Sequence, residues 1–399
     1  QYYPPEVGAP QARLSELALF LKKRGHSVTV LTAMPSYPLN KIFDGYGGIY
    51  MKEELDGIDI IRSYIYPSNS VKLISRLFNY FSFVFSSLIV GLFVLPKKDI
   101  LITESPPLFL GITGYVLSRV KGAKWIFNVS DLWPESAVNL GVIGKGLPLT
   151  ISFKLEEFFY KKSWLVLGQS KGIVKNINER FPWVDTYLLS NGVDVEKYTP
   201  DTKSDILKEW SNGREYTVVY AGLHGIAQGL DQLIKAAKVL DSKLNTLQFV
   251  LIGDGPKKKS LIELNRKLEA SNVTFVESQP KIAMPEIWAS ADIAIIPLKQ
   301  YIPGAVPSKI YEAMASGVPI VMIGVGEPAE IVTRSECGFT VEPNDIIGIC
   351  DSIKELVNND KLRKNMSING RLSASKYYNR LNILTEFNDF IMHKHQNHN

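Results

Sequence analysis

Short runs in which nearly every residue is apolar and strand-prone recur along the whole chain. They are VTVLT, ILIT, WIFNVS and WLVLGQS in the first half, then YTVVYAG, LQFVLIGDG, VTFVE, IAIIPL and VPIVMIG in the second. Between them stand helix-period segments such as LSELALFLKKRG, with Leu14, Leu17, Ala18 and Leu21 on one face. A strand that is apolar on both faces must be covered on both sides, and helices alternating with parallel strands do this. The pattern predicts an α/β protein with two doubly wound units in tandem. One spans 1–195 and the other 196–375, divided in the polar stretch SNGVDVEKYTPDTKSDILKEWSNGRE. The closing segment, 376–399, contains a helix with no strand after it, free to pack back across the first unit. No strand precedes QYYPPE, so the first unit is expected to lack its opening strand.

The charge balance narrows the class of partner. The net charge of +5 arises wholly in the first half, with 21 basic and 16 acidic residues in 1–195 against 24 and 24 in 196–399. That is too weak for a nucleic-acid protein, but it suits a face turned to anionic lipid or to a phosphorylated ligand. Two cysteines, Cys337 and Cys350, provide neither a disulfide framework nor a Cys-rich metal motif, so a reducing cytoplasm is expected. Residues 78–95, FNYFSFVFSSLIVGLFVL, run 18 positions without a charge. Length alone permits a membrane span, although Asn79, Ser82, Ser86, Ser87 and Gly91 dilute it and it feeds directly into the strand DILIT. A buried core helix and a helix lying on a membrane surface are the other readings. The flanking Lys72, Arg76, Lys97 and Lys98 support the surface one.

Ligands of doubly wound sheets bind outside the carboxyl ends of the strands. Four suggestive stretches follow strands: SDLWPES, GLHGIAQG, GDGP and GAVPSK. A fifth, PPEVGAPQAR, would follow the strand expected before Gln1. Lys309 stands in the first turn of the helix opened by PSKIYE, where the backbone carries positive partial charge and a cation is disfavoured. Glu312 lies one turn further on the same face. A bound anion would offset the unfavourable placement of Lys309.

Taken together, PPEVGAPQARLSELALFLKKRGHSVTVLT, SNGVD, YAGLHGIAQGLDQLI, LIGDGP and PSKIYEAMASGVPIV resemble the retaining glycosyltransferases of the GT-B fold that carry an E-x7-E signature, family 4-like. The order and coverage run from end to end. SDLWPES with AVPSKIYEAMA is most similar to the branch that builds O-antigen and capsule, including N-acetylfucosaminyl transferases. The resemblance implies two Rossmann-like domains facing across a cleft, and a nucleotide-diphosphate sugar, a UDP-sugar first of all, bound largely by the second. Glu312 would accept hydrogen bonds from the ribose hydroxyls, a task suited to a group with only acceptors. Lys309, with the N–H groups of Ser308 and Lys309, would hold the diphosphate. Gly8 would bring backbone amides to the phosphates, and Arg13 is a secondary phosphate or acceptor candidate. Gly222, Gly225, Gln228 and Gly229 would shape the pocket near the leaving group, with Gly253, Asp254 and Gly255 on the nucleotide side. Asp254 has a competing reading as a helix cap. Asp131 and Glu135 would contact acceptor and sugar, Asp131 also as base or charge stabiliser, against a helix-capping alternative.

Three departures from the family pattern stand out. The first Glu of the signature falls on Gly304. Leu223 and Gln228 occupy positions where relatives have Arg and Lys, leaving Lys309 as the main cation. Asp131 stands where many have a histidine. The implied chemistry is transfer with retained configuration, no cofactor and no essential metal. The acceptor would be a lipid-linked oligosaccharide, with the protein peripheral on the inner face of the cell membrane. A nucleotide-sugar epimerase and an inactive sugar-nucleotide binder are the rival readings.

Overall fold

The computed structural model describes residues 1–6, 8–37, 39–68, 73–139 and 146–397. The chain divides into two units. Unit 1 comprises Gln1–Ser190 and Leu384–Asn399, and unit 2 comprises Asn191–Ile383. The Lys72 flank of the apolar stretch lies outside the described residues.

The described residues of unit 1 form two sheets. Strands β1 (Thr29–Ala33), β2 (Tyr50–Leu55) and β3 (Ile58–Ser63) form one in the order β1-β3-β2. Strands β4 (Ile100–Ser105), β5 (Lys124–Val129), β6 (Leu165–Gly168) and β7 (Thr186–Leu188) form a parallel sheet in sequence order. Parallel strands throughout were expected, and β2 corrects this because it pairs antiparallel to β3. Asp56 and Gly57 join them at φ +51° and +72°, the paired left-handed conformations of a tight hairpin turn. β2 is solvent-exposed and charged, as an edge strand tolerates. The helix Leu73–Val94 buries Phe83, Val84, Val90 and Gly91 on one face, while Phe78, Phe85, Ile89 and Phe93 stay exposed. No helix among the described residues is long and apolar enough to cross a membrane. The last helix, Arg380–Gln396, ends in unit 1, where Phe390 stacks on Tyr187 with centroids 4.4 Å apart.

Unit 2 is a single six-stranded parallel sheet. Its strands are β8 (Tyr216–Ala221), β9 (Leu247–Ile252), β10 (Val273–Val276), β11 (Ile293–Pro297), β12 (Ile320–Ile323) and β13 (Gly338–Val341), in the order β10-β9-β8-β11-β12-β13. Alternation sends Val219, Ala221, Val250, Ile252, Ala294 and Ile296 to one core, against Trp288, Ile310 and Met314. Val218, Tyr220, Phe249, Leu251, Ile293 and Ile295 face the other, against Leu233, Ile234 and Ala237. Both faces are thus covered, as the continuous apolar strands require. The order of succession reverses between β8 and β11. Such a reversal is where ligands of doubly wound sheets bind, at the carboxyl ends of the strands.

Candidate active site

The loops leaving β8 and β11 flank this switch point and hold most of the predicted residues of unit 2. They are tied together where Lys299 N–H donates to the Ala227 carbonyl at 2.8 Å. Helix Lys309–Ala315 follows the second loop, and its first side chain turns back over the first loop. A Cβ built on Gly222 would stand 2.3 Å from Lys309 Cε and 2.7 Å from its Nζ, so only glycine lets the lysine lie there. No carboxylate lies within ion-pairing distance of the Lys309 ammonium among the described residues. Burial lowers its pKa below the ordinary lysine value, and the nearby charge of Glu312 partly opposes this. A cation so placed is short of a counterion.

Glu312 is held at the same point. Its Oε2 accepts from Trp288 Nε1 at 3.1 Å and its Oε1 from Ser308 Oγ at 3.4 Å. These bonds fix the carboxylate and leave acceptor capacity for further donors. It does not cap its own helix; its N–H donates to the Ser308 carbonyl at 3.2 Å. Trp288, from the helix Met284–Ser290, escaped the sequence reading because it looks like one more core aromatic.

The loop after β8 is locked to the loop after β9. Gly222 N–H donates to Ile252, His224 N–H donates to the Asp254 carbonyl at 2.8 Å, and the His224 carbonyl accepts from Lys257 N–H at 2.9 Å. A Cβ on Gly253 would fall 1.9 Å from the Gly222 carbonyl oxygen, so the contact requires a glycine. His224 is fully buried beneath this junction, between Tyr220 and Phe275. Burial first, and then the charge of Lys258, lowers its pKa. Nothing in the sequence marked this histidine as buried. Asp254 does not cap the following helix; it accepts from Gly255 N–H at 2.7 Å, and Lys257 at the cap position has no side-chain cap. Gln228 is half-buried in the first loop. Gly304 sits at φ +76° in a turn closed by Ala305 N–H on the Ile302 carbonyl.

The predicted residues of unit 1 are engaged differently. Gly8 precedes the helix Ala9–Lys23 without any side-chain cap. Arg13 in that helix is not open to solvent; it pairs with Glu104 of β4, and both side chains are nearly buried. Glu104 also accepts from Asn128 Nδ2 and Ser130 Oγ. The Gln169 amide oxygen faces the same guanidinium in the orientation that satisfies both groups. Asp131 accepts from Ser136 Oγ at 2.9 Å, and burial raises its pKa while that bond opposes the shift. Glu135 accepts from Asn176 Nδ2 at 3.3 Å, and Asn176 Oδ1 accepts from Arg180, which forks onto Glu156. The carboxylates of Asp131 and Glu135 thus serve different partners.

In doubly wound sheets, ligands bind at such a switch point. Residues 201–373 match the family model for glycosyl transferases group 1. The putative colanic acid biosynthesis glycosyl transferase WcaI of Escherichia coli K12 is 24% identical over 96% of both chains. The N-acetyl-alpha-D-glucosaminyl L-malate synthase of Bacillus anthracis is 23% identical over 96% of this chain and 93% of its own. Among solved structures, sucrose-phosphate synthase of Thermosynechococcus elongatus aligns with a TM-score of 0.77 at 17% identity, covering 97% of this chain and 94% of its own. HepE of Anabaena, solved with UDP-glucose, aligns at 0.66 and 17% identity, covering 84% and 86%. The fold is that of the GT-B enzymes, and the second unit is similar to the glycosyl transferases of group 1.

Proposed function

We propose that the protein is a retaining, metal-independent glycosyltransferase that moves a sugar from a nucleotide diphosphate, a UDP-sugar first of all, to a lipid-linked saccharide in surface-polysaccharide synthesis. The observation that carries the reading is Lys309, a half-buried ammonium that rests on Gly222 without an ion-pair partner among the described residues. A diphosphate at that point supplies the missing charge, and Glu312, held by Trp288 and Ser308, meets the ribose diol. In the transfer, the anomeric carbon–oxygen bond to the diphosphate breaks and a bond to the acceptor oxygen forms on the same face. The acceptor's proton passes to the departing diphosphate oxygen. Lys309 stabilises the charge that develops there, a role whose loss typically costs about 100- to 1000-fold in rate. Asp131, Glu135 and Gly8 are the unit 1 candidates for acceptor and phosphate contacts, and the N-acetylfucosaminyl branch is the favoured source of the donor sugar.

The membrane part of the reading draws on helix Leu73–Val94. At about 100° per residue, Phe78, Phe85, Ile89 and Phe93 fall within one sector, and all four are exposed, Phe93 at 85%. Lys121 reaches the Leu92 carbonyl at the end of the helix, and Lys97 is exposed beside it. An apolar stripe with a basic end suits the inner, anionic face of a cell membrane. The test is a panel of UDP-, GDP- and dTDP-sugars offered with a lipid-pyrophosphate acceptor in anionic liposomes. Labelled glycolipid of retained configuration, formed in the presence of chelator, is expected. A changed free donor with no glycolipid points to an epimerase, and saturable binding with no turnover to an inactive binder.

A further inference from the structure

Unit 2 contains a single histidine, His224, and buries it where the loop after β8 meets the loop after β9. The main chain of His224 is gripped by the second loop. Its N–H donates to the Asp254 carbonyl at 2.8 Å, and its carbonyl accepts from Lys257 N–H at 2.9 Å. A Cβ built on Gly255 would stand 2.6 Å from that carbonyl oxygen, so the loop can close over the histidine only with a glycine there. The imidazole is 0% exposed, with the Tyr220 ring 5.9 Å and the Phe275 ring 6.3 Å away, centroid to centroid. Neither Nδ1 nor Nε2 has a hydrogen-bond partner of good geometry among the described residues. The neighbouring polar groups are occupied elsewhere. Tyr220 Oη donates to the Leu223 carbonyl, Asp254 accepts from Gly255 N–H, and Lys258 lies 2.7 Å from the Glu277 carboxylate beyond β10.

A neutral imidazole carries one N–H, and burying that donor without an acceptor already costs free energy. An imidazolium carries two, together with a charge that burial penalises further. Burial and the charge of Lys258 oppose protonation here, while Asp254, the Ile252 carbonyl and Glu277 favour it less strongly. The Ile252 carbonyl is already engaged, since it accepts from Gly222 N–H at 2.9 Å. A proton on His224 therefore has two ways out. The ring can leave for water, which parts the two loops, or it can compete for the Ile252 carbonyl, which loosens Gly222. Both disturb the glycine against which Lys309 lies.

We infer that His224 is a positioning residue that makes the phosphate loop acid-sensitive: the neutral ring latches the loops after β8 and β9 and holds Gly222 against Lys309, and the protonated ring releases them. The imidazole acts through the backbone of the loop. The inference rests on the proposed diphosphate at Lys309 and adds a control of that site by protons. Its sign follows from where the proton binds. An open ring takes it up near the ordinary histidine value of about 6.5, and the closed junction only at lower pH. The latch is complete above the ordinary value and is lost as pH falls from there to the depressed one. At about pH 5.5 an open ring is charged about ten times in eleven, so opening becomes about tenfold more favourable.

The test compares wild type, His224→Phe and His224→Gln in the full chain at about pH 8 and about pH 5.5, on either side of the histidine range. Hydrogen exchange, corrected for the intrinsic effect of pH, is followed on peptides covering 220–225 and 254–258, with Ile320–Ile323 of β12 as the reference. In wild type these peptides should lose about tenfold in protection at the lower pH while β12 keeps its own. UDP affinity, read by calorimetry, should fall about three- to tenfold further in wild type than in either variant. Protonation of the terminal phosphate, with a pKa of about 6, is common to all three and cancels. At about pH 8 both variants should bind UDP within about threefold of wild type, because the neutral ring makes no side-chain hydrogen bond to lose. Unchanged protection of the two loops in acid overturns the inference, a result read on wild type whether or not a variant folds. An equal acid loss of UDP affinity in all three proteins overturns it too. So does a loss of protection in β12 in step with the loops, which marks general acid unfolding. A wild type that binds no UDP at about pH 8 removes the proposed function, and this inference with it.

Discussion

Arg13 and Lys309 occupy similar places in the two units. Each lies in or just beyond the first turn of a helix that follows a glycine-containing loop, and each is a candidate for a phosphate. Their surroundings differ completely. Arg13 is saturated: Glu104 pairs with it, and Gln169 presents an amide oxygen to the same guanidinium. Lys309 meets a glycine and has no carboxylate at ion-pairing distance among the described residues. The first cation is part of the fold's internal accounting, and the second is left over. What separates a paired charge from an unpaired one is therefore the set of strands that converge on it. Place along a helix does not distinguish them.

If that contrast is right, the two residues must fail in opposite ways. Arg13→Met leaves Glu104 nearly buried without its cation. Removing one partner of such a pair costs about 3 kcal/mol, read as a lowered denaturation midpoint, while UDP affinity in calorimetry stays at the wild-type value. Weakened UDP binding at unchanged stability would place Arg13 in the phosphate site and erase the distinction. Lys309→Met should do the reverse. UDP affinity is expected to fall about 100-fold, or about 2.7 kcal/mol, the scale of charge-assisted hydrogen bonds lost to a diphosphate. The melting temperature should be no lower than that of wild type, because an apolar group replaces a desolvated ammonium. A Lys309→Met protein that melts early yet binds UDP normally would make Lys309 the structural residue of the two.

The same contrast explains what could be read from the sequence. Unit 2 was legible because its strands are apolar on both faces and its loops carry their glycines beside the strand ends. YTVVYAG and IAIIPL were read as strands, and the strand order then makes them neighbours at the switch point. The hairpin of β2 and β3 was missed. MKEEL is an exposed edge with no apolar run, and its one clear signal, the Asp56-Gly57 pair, is two residues long. The pairing of Arg13 with Glu104 was not legible for a different reason. The two are 91 positions apart, and neither residue carries any local mark of the other. Glu312 was singled out in the sequence, but the Trp288 that bonds to it was not, since an indole in an apolar helix looks the same whether or not its N–H has a task. Burial of His224 was equally invisible, since nothing within GLHG marks the strands that enclose it. Patterns within an element are local and can be read. Counter-charges between elements depend on topology.

The smallest effect that separates the two cations is a pH dependence. Burial holds the folded-state pKa of Lys309 below its ordinary value, whereas a guanidinium stays charged throughout the accessible range. In the window between the depressed pKa and the unfolded lysine value of about 10.4, the folded protein binds fewer protons than the unfolded chain. Stability of the ligand-free protein should therefore gain as pH rises through that window, and this contribution should be lost as pH falls through the folded pKa. UDP affinity must move the other way, because the diphosphate needs the charged ammonium. The measurement is calorimetry and melting of wild type beside Lys309→Arg and Lys309→Met, so that titration of the uracil ring cancels in the differences. Wild type should show an alkaline loss of affinity that Lys309→Arg lacks and Lys309→Met does not share. The same loss in all three would mean that the ammonium at Gly222 carries none of the binding, and the division between a saturated and an unsaturated cation would have no functional content.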